Sequence, residues 1–176
     1  PADAISRLKA TLPIYSDLKH ENLIELIEAK EIGDGFAMVF KWADSDCMGR
    51  MYPAAHRRFM QLPINDRLAV FSDILSFLEC VASRKYVAID FYDGSIMYDF
   101  ANGKTTICDI DLFHKQPCVN DMGRMWGSSR FQSPEEYQLG ADIDEITNVY
   151  TLGATAFALF GEYNRTREKW QLSDKL

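Results

Sequence analysis

The sequence predicts an α+β fold in two parts, a small hairpin-bearing piece and a larger, mostly helical one. Three observations predict it. A Gly33-Asp34-Gly35 turn separates two short strand candidates near the N-terminus. A polar stretch, residues 43–49, follows them. Beyond that stretch, apolar runs at helical period enclose three short extended segments.

In chain order, Ile5, Leu8, Leu12, Tyr15 and Leu18 recur at helical spacing, with Pro13 as the expected kink or break. Residues 23–30 and 35–42 are the strands of the hairpin, and residues 43–49 read as a hinge. Pro63-Ile64-Asn65-Asp66 starts a helix that Leu68, Phe71, Ile74, Leu75, Leu78 and Val81 continue. Residues 86–89, 95–99 and 105–108 read as extended, with an Asn102-Gly103 turn between the last two. Pro134-Glu135-Glu136 opens a short helix, with proline in the first turn, where its missing N–H is harmless. Residues 145–160 are apolar almost all round, which predicts a helix in the middle of the domain. The last residues are reached in mid-pattern at Trp170-Gln171-Leu172-Ser173.

The 176 residues carry 19 Lys and Arg against 26 Asp and Glu, a net charge of −7. That sign opposes phosphate and no basic stripe offsets it, so no nucleic-acid partner is expected. A hydrophobic fraction of 47% supplies one sizeable core and excludes a disordered chain. The most apolar run covers residues 149–160, short of the roughly 20 residues a membrane-spanning helix needs, so no membrane partner is expected. Residues 1–10 already contain Asp, Arg and Lys, unlike a secretory leader. Cys47, Cys80, Cys108 and Cys118 form no C-x-x-C pair, and His20, His56 and His114 stand far from any such pair. This spacing disfavours a zinc cage and suits reduced thiols in a cytoplasmic protein.

Two acidic positions carry the chemistry. Asp90 opens the loop Asp90-Phe91-Tyr92-Asp93-Gly94-Ser95, and Asp109 follows an apolar strand in Ile107-Cys108-Asp109-Ile110-Asp111. A strand ending in a carboxylate aims that group beyond the strand end. Two of them can bind one metal ion and accept one proton, as phosphoryl transfer requires.

The order of segments resembles a protein kinase. Asp90 to Ser95 is similar to the catalytic loop H-R-D-x-x-x-x-N, and Asp109-Ile110-Asp111 to D-F-G. Gly127 to Glu135 resembles G-T-P-x-Y-x-A-P-E, and Asn148 to Gly153 the D-V-W-S-L-G helix. Leu18-Lys19-His20-Glu21-Asn22-Leu23 resembles the turn after the family's αC helix, and Val39-Phe40-Lys41-Trp42 the last small-lobe strand. The resemblance spans about residues 1–173. It implies a kinase-like fold with a partial small lobe at residues 1–42, a hinge at 43–49 and an incomplete large lobe at 50–176.

The resemblance also implies site residues. Asp90 takes the place of the catalytic base, Ser128 that of the threonine steadying its loop, and Asp109 that of the magnesium-binding carboxylate. Ser95 stands where the family has a metal-binding asparagine, and Lys41, Trp42 and Ala43 where the hinge meets the nucleotide. The implied cofactors are ATP and Mg²⁺, and the implied partner is a protein substrate or binding protein. Glu135 resembles the glutamate that pairs with a later arginine.

The departures are several. Ala88 and Ile89 replace His and Arg, Tyr92 replaces Lys, Asp111 replaces the glycine of D-F-G, and Thr11 stands where the αC glutamate would be. The glycine-rich loop and the strand lysine are absent from these residues. Kinase-like turnover is therefore not expected of the 176 residues alone. Residues 111–126 contain no Ser, Thr or Tyr, and Ile89 removes the arginine that docks a loop phosphate. Phosphorylation of that loop is excluded as a switch. Two other classes fit less well: a pseudokinase acting as a scaffold, and a haloacid-dehalogenase-like phosphatase with Asp109 as nucleophile and Asp111 as acid/base.

Overall fold

The computed structural model describes residues 2–161, and the pattern at Trp170-Gln171-Leu172-Ser173 lies outside the described residues. The chain begins with two short helices, α1 (Ala2–Ala10) and α2 (Leu12–Asp17). The break falls at Thr11 and not at Pro13. A proline in the first turn of α2 has no N–H partner to lose, so it starts the second helix instead of kinking one long helix.

Strands β1 (Leu26–Ile32) and β2 (Gly35–Phe40) form an antiparallel hairpin with Ile32 opposite Gly35. Gly33, at φ +57°, supplies the left-handed turn that lets a two-residue loop close it. Leu23, expected in the first strand, instead makes a parallel bridge to Ile107. The stretch expected as a hinge contains a strand. Within residues 43–49, Asp46–Cys47 is strand β3, paired with Met97 and Tyr98.

Beyond it come α3 (Pro53–Met60), which the periodicity does not reveal, and the long α4 (Ile64–Ser83). Short strands follow: β4 (Tyr86–Val87), β5 (Ile96–Asp99), β6 (Lys104–Ile107), β7 (His114–Lys115), β8 (Cys118–Val119) and β9 (Asp142–Ile143). They build small antiparallel sheets, β3-β5-β6, β4-β7 and β8-β9. A 3-10 turn at Pro134–Tyr137 precedes the final described helix, α5 (Glu145–Phe160). The fold is thus mixed α+β.

The core lies between α4 and the strands. Ile74 and Phe77 of α4 are fully buried, and Phe77 sits within ring contact of both Phe91 and Phe113. Those two phenylalanines follow Asp90 and Asp111 closely in sequence, so the core anchors both loops from below. Helix α5 corrects one expectation. Among the described residues Ile146 and Val149 are 68% and 69% exposed, while Thr147, Asn148, Thr151 and Thr155 face inward. Asn148 bonds the main chain of Tyr86 and Ala88, Thr147 bonds Glu135, and Thr155 bonds the Thr151 carbonyl within the helix. No described helix is long and apolar enough to cross a membrane.

Candidate active site

Two antiparallel pairings bring the acidic loops together. In the first, β4 leads into Asp90 and pairs with β7, which leaves Asp111, with Val87 opposite His114. In the second, β5 leaves the Asp90 loop and pairs with β6, which enters the Asp109 loop, with Ile96 opposite Ile107. The Cys108 N–H donates to the Ser95 carbonyl at 2.9 Å, closing the ladder beside Asp109. Residues 90–95 and 108–111 are therefore neighbours, held from both sides by strand pairs.

Asp90 and Asp109 share an unusual backbone. Their φ angles are +60° and +58°, in the left-handed region that glycine favours. A carboxylate residue tolerates that region better than a branched one, yet it still carries strain. Both residues lie just past a strand, β4 ending at Val87 and β6 at Ile107.

The electrostatics match this placement. Asp90 is half-buried and its carboxyl is raised above the usual carboxylate range, first by loss of solvent and then by the charge on Asp109. The Ser128 backbone N–H facing it works in the other direction. Asp109 is open to solvent on one side, and the protein behind it raises its carboxyl by desolvation, with Asp111 adding to the rise. Asp90 and Asp109 also push up the nearby Tyr92 hydroxyl, after burial. Two like charges, one of which raises the other's carboxyl, gain from a cation between them or a proton on one of them.

Segment 127–133 closes over the Asp90 loop. Ser128 meets Asp90, Arg130 bonds the Asp93 carboxylate at 3.3 Å, and the Phe131 ring lies edge-on to Tyr92. From below, the buried Asn148 of α5 grips the strand before Asp90. Its amide oxygen accepts from the Ala88 N–H at 2.7 Å and its amide nitrogen donates to the Tyr86 carbonyl at 3.0 Å. Glu135 accepts from the Thr147 hydroxyl at 2.7 Å, and Glu136 caps its own turn through Ser133.

Of the remaining expected site residues, Ser95 lies within the Asp90 loop with its hydroxyl turned inward, and Lys41, Trp42 and Ala43 lie elsewhere. Ser95 is fully buried, and its hydroxyl accepts from the Tyr92 N–H at 3.5 Å, so it faces inward. Lys41, Trp42 and Ala43 line a different cleft of about 260 Å³ together with Glu25, Asp99 and Lys104. There Lys41 lies 3.5 Å from Glu25, and Trp42 is 87% exposed.

Sequence reasoning misses two contacts. Tyr15 of α2 donates its hydroxyl to Asp111 at 3.0 Å, and Arg130 holds Asp93. The only signal for the first is an acidic residue at position 111, where the kinase resemblance expects a glycine. A carboxylate there is suited to receive a donor, and Tyr15 at helical spacing supplies one. Among the described residues no group of three or more His, Cys, Asp or Glu side chains is placed to hold a metal. A magnesium ion needs fewer protein ligands, because it retains waters and takes phosphate oxygens alongside one or two carboxylates. Asp109 fits that role and the inward-facing Ser95 does not. No family model matches the chain, and no curated protein matches it either.

Proposed function

We propose that the chain is the core of a protein kinase-like phosphotransferase, ATP- and magnesium-dependent, acting on Ser and Thr hydroxyls of proteins in the intact polypeptide. The observation that carries this reading is the meeting of Asp90 and Asp109, each on a left-handed turn at a strand end. Asp90, with its raised affinity for protons, accepts the proton of the acceptor hydroxyl. Asp109 holds the metal, whose charge would neutralise the transferring phosphates. Asn148 and Ser128 keep the Asp90 loop in place from opposite sides. The main chain of residues 41–43, between β2 and β3, is offered to the adenine.

The order of segments supports the reading along most of the chain. By contrast, β6, the strand entering Asp109, lies in an antiparallel sheet, which counts against a dehalogenase-like site. One observation favours the scaffold alternative: the inward hydroxyl of Ser95 leaves Asp109 without a second ligand at the family's position.

Thermal unfolding with ATP, with and without Mg²⁺, tests the proposal. A rise in melting temperature that requires the metal and is lost in Asp109→Asn is the expected result. No rise with either ligand favours the scaffold. Phosphate release from a generic ester without ATP favours the phosphatase.

A further inference from the structure

A second cleft, of about 510 Å³, opens beside the Asp90 loop. One wall is the chain after β3, with Gly49, Arg50, Met51 and Tyr52, and the other is Tyr92 to Gly94, with Arg130 at the edge. The two walls touch at their base. A Cβ on Gly49 would stand 3.1 Å from the Gly94 backbone, and the Cys47 thiol donates to the Gly94 carbonyl at 3.4 Å. The Tyr92 hydroxyl end of the cleft lies within the electrostatic reach of Asp90 and Asp109. The Tyr92 to Gly94 wall belongs to the same loop as Asp90, two residues on.

The charged residues that line this cleft are Arg50, Arg130 and Asp93. Asp93 is neutralised by Arg130 across 3.3 Å. Nearby Asp46 faces Arg58 at 3.8 Å. Arg50 is exposed and has no ion pair among the described residues. The cleft thus presents a cation in a protein of net charge −7, beside the apolar surfaces of Met51 and Tyr52, which are 87% and 55% exposed. Apolar surface next to one unpaired guanidinium suits a peptide with an acidic side chain close to an apolar one.

We propose that this cleft seats the acceptor segment and that Arg50 selects acceptors carrying a carboxylate near the hydroxyl. The peptide's role as an acceptor rests on the phosphotransfer reading, whereas its binding does not.

Two fluorescein-labelled peptides of equal length test it, each with a central Ser and flanking Leu, one carrying Glu and the other Lys. Anisotropy titration with the full chain should show the Glu peptide bound about three- to fivefold more tightly, the worth of one exposed ion pair. That preference opposes the net charge of the protein, so it does not arise from non-specific attraction. Arg50→Glu should reverse the preference and Arg50→Lys should keep most of it. Equal affinities, a preference for Lys, binding of neither peptide, or a preference unchanged in Arg50→Glu overturns the proposal. Displacement of the Glu peptide by ATP with Mg²⁺ also overturns it, since the cleft would then belong to the nucleotide. A Glu preference in a chain whose melting temperature ignores ATP and Mg²⁺ supports the cleft and rejects phosphotransfer alone.

Discussion

The Arg130 guanidinium donates to the Asp93 carboxylate at 3.3 Å across a sequence separation of 37 residues. The Asp93 side chain is almost completely enclosed, while Arg130 keeps 28% of its side chain in solvent. The pair ties segment 127–133 to the Asp90 loop without any phosphate group, in a chain whose 111–126 loop has no residue to phosphorylate.

Arg130→Ala would take the Arg130 guanidinium away from the enclosed Asp93 carboxylate. The expected loss of stability is about 2–3 kcal/mol, below that of a fully buried pair because the arginine edge is wet. Urea unfolding of Arg130→Ala, Asp93→Asn and the double variant checks this. The double variant should be less destabilised than the sum of the single ones.

Asn148→Ala should cost about 2–4 kcal/mol, since it strands the buried Ala88 N–H and Tyr86 carbonyl. Asn148→Asp can still accept from Ala88 but cannot donate to Tyr86, and it buries a charge. It should therefore rescue little of the loss. Denaturant midpoints of the two variants decide the matter, and a near-neutral Asn148→Ala would deny α5 its anchoring role.

The raised carboxyls of Asp90 and Asp109 set a sign for the pH dependence. Their folded-state affinity for protons exceeds the unfolded one. Their contribution to stability is thus fully present below the ordinary carboxylate pKa and is lost as pH rises through the raised values. Asp109→Asn removes one charge and relieves the other, so its melting temperature should gain on the wild type between about pH 4 and pH 7, by about 2–4 °C. A variant whose curve runs parallel to wild type across that range would show that the two groups do not interact.

Gly94→Ala should disturb the Asp90 loop although the substitution is small. A Cβ at that position would fall 2.3 Å from Tyr92 Cε2, so the ring must swing away. The expected cost is about 1–3 kcal/mol, typical of overpacking, with loss of peptide binding in the 510 Å³ cleft. Tyr92→Ala combined with Gly94→Ala should recover stability, as measured by thermal unfolding.

Much of the fold is legible where a signal repeats locally. Residues 145–160 form a helix with the expected limits because ten of the sixteen positions are apolar and Asp144 caps its start. The hairpin follows from one glycine turn. Strand β3 is illegible because two residues carry no periodicity, and its partners Met97 and Tyr98 are distant in sequence. Helix α3 buries only Ala55 and Phe59, too thin a stripe to read among its arginines. In the candidate site, Asp90 and Asp109 stand out because a carboxylate follows an apolar strand each time. The inward rotation of Ser95 and the reach of Arg130 depend on how loops pack, which spacing alone does not encode.

Tyr15 reaches from α2 to Asp111, and Asp111 lies two residues beyond Asp109. That single bond makes the short helix a lever on the turn that carries Asp109. Anything that tilts α2, such as a partner resting on its outer side, transmits its pull to position 109 with only one residue of slack in between. A displacement of the N-terminal helices would then be felt first in where the Asp109 carboxyl sits.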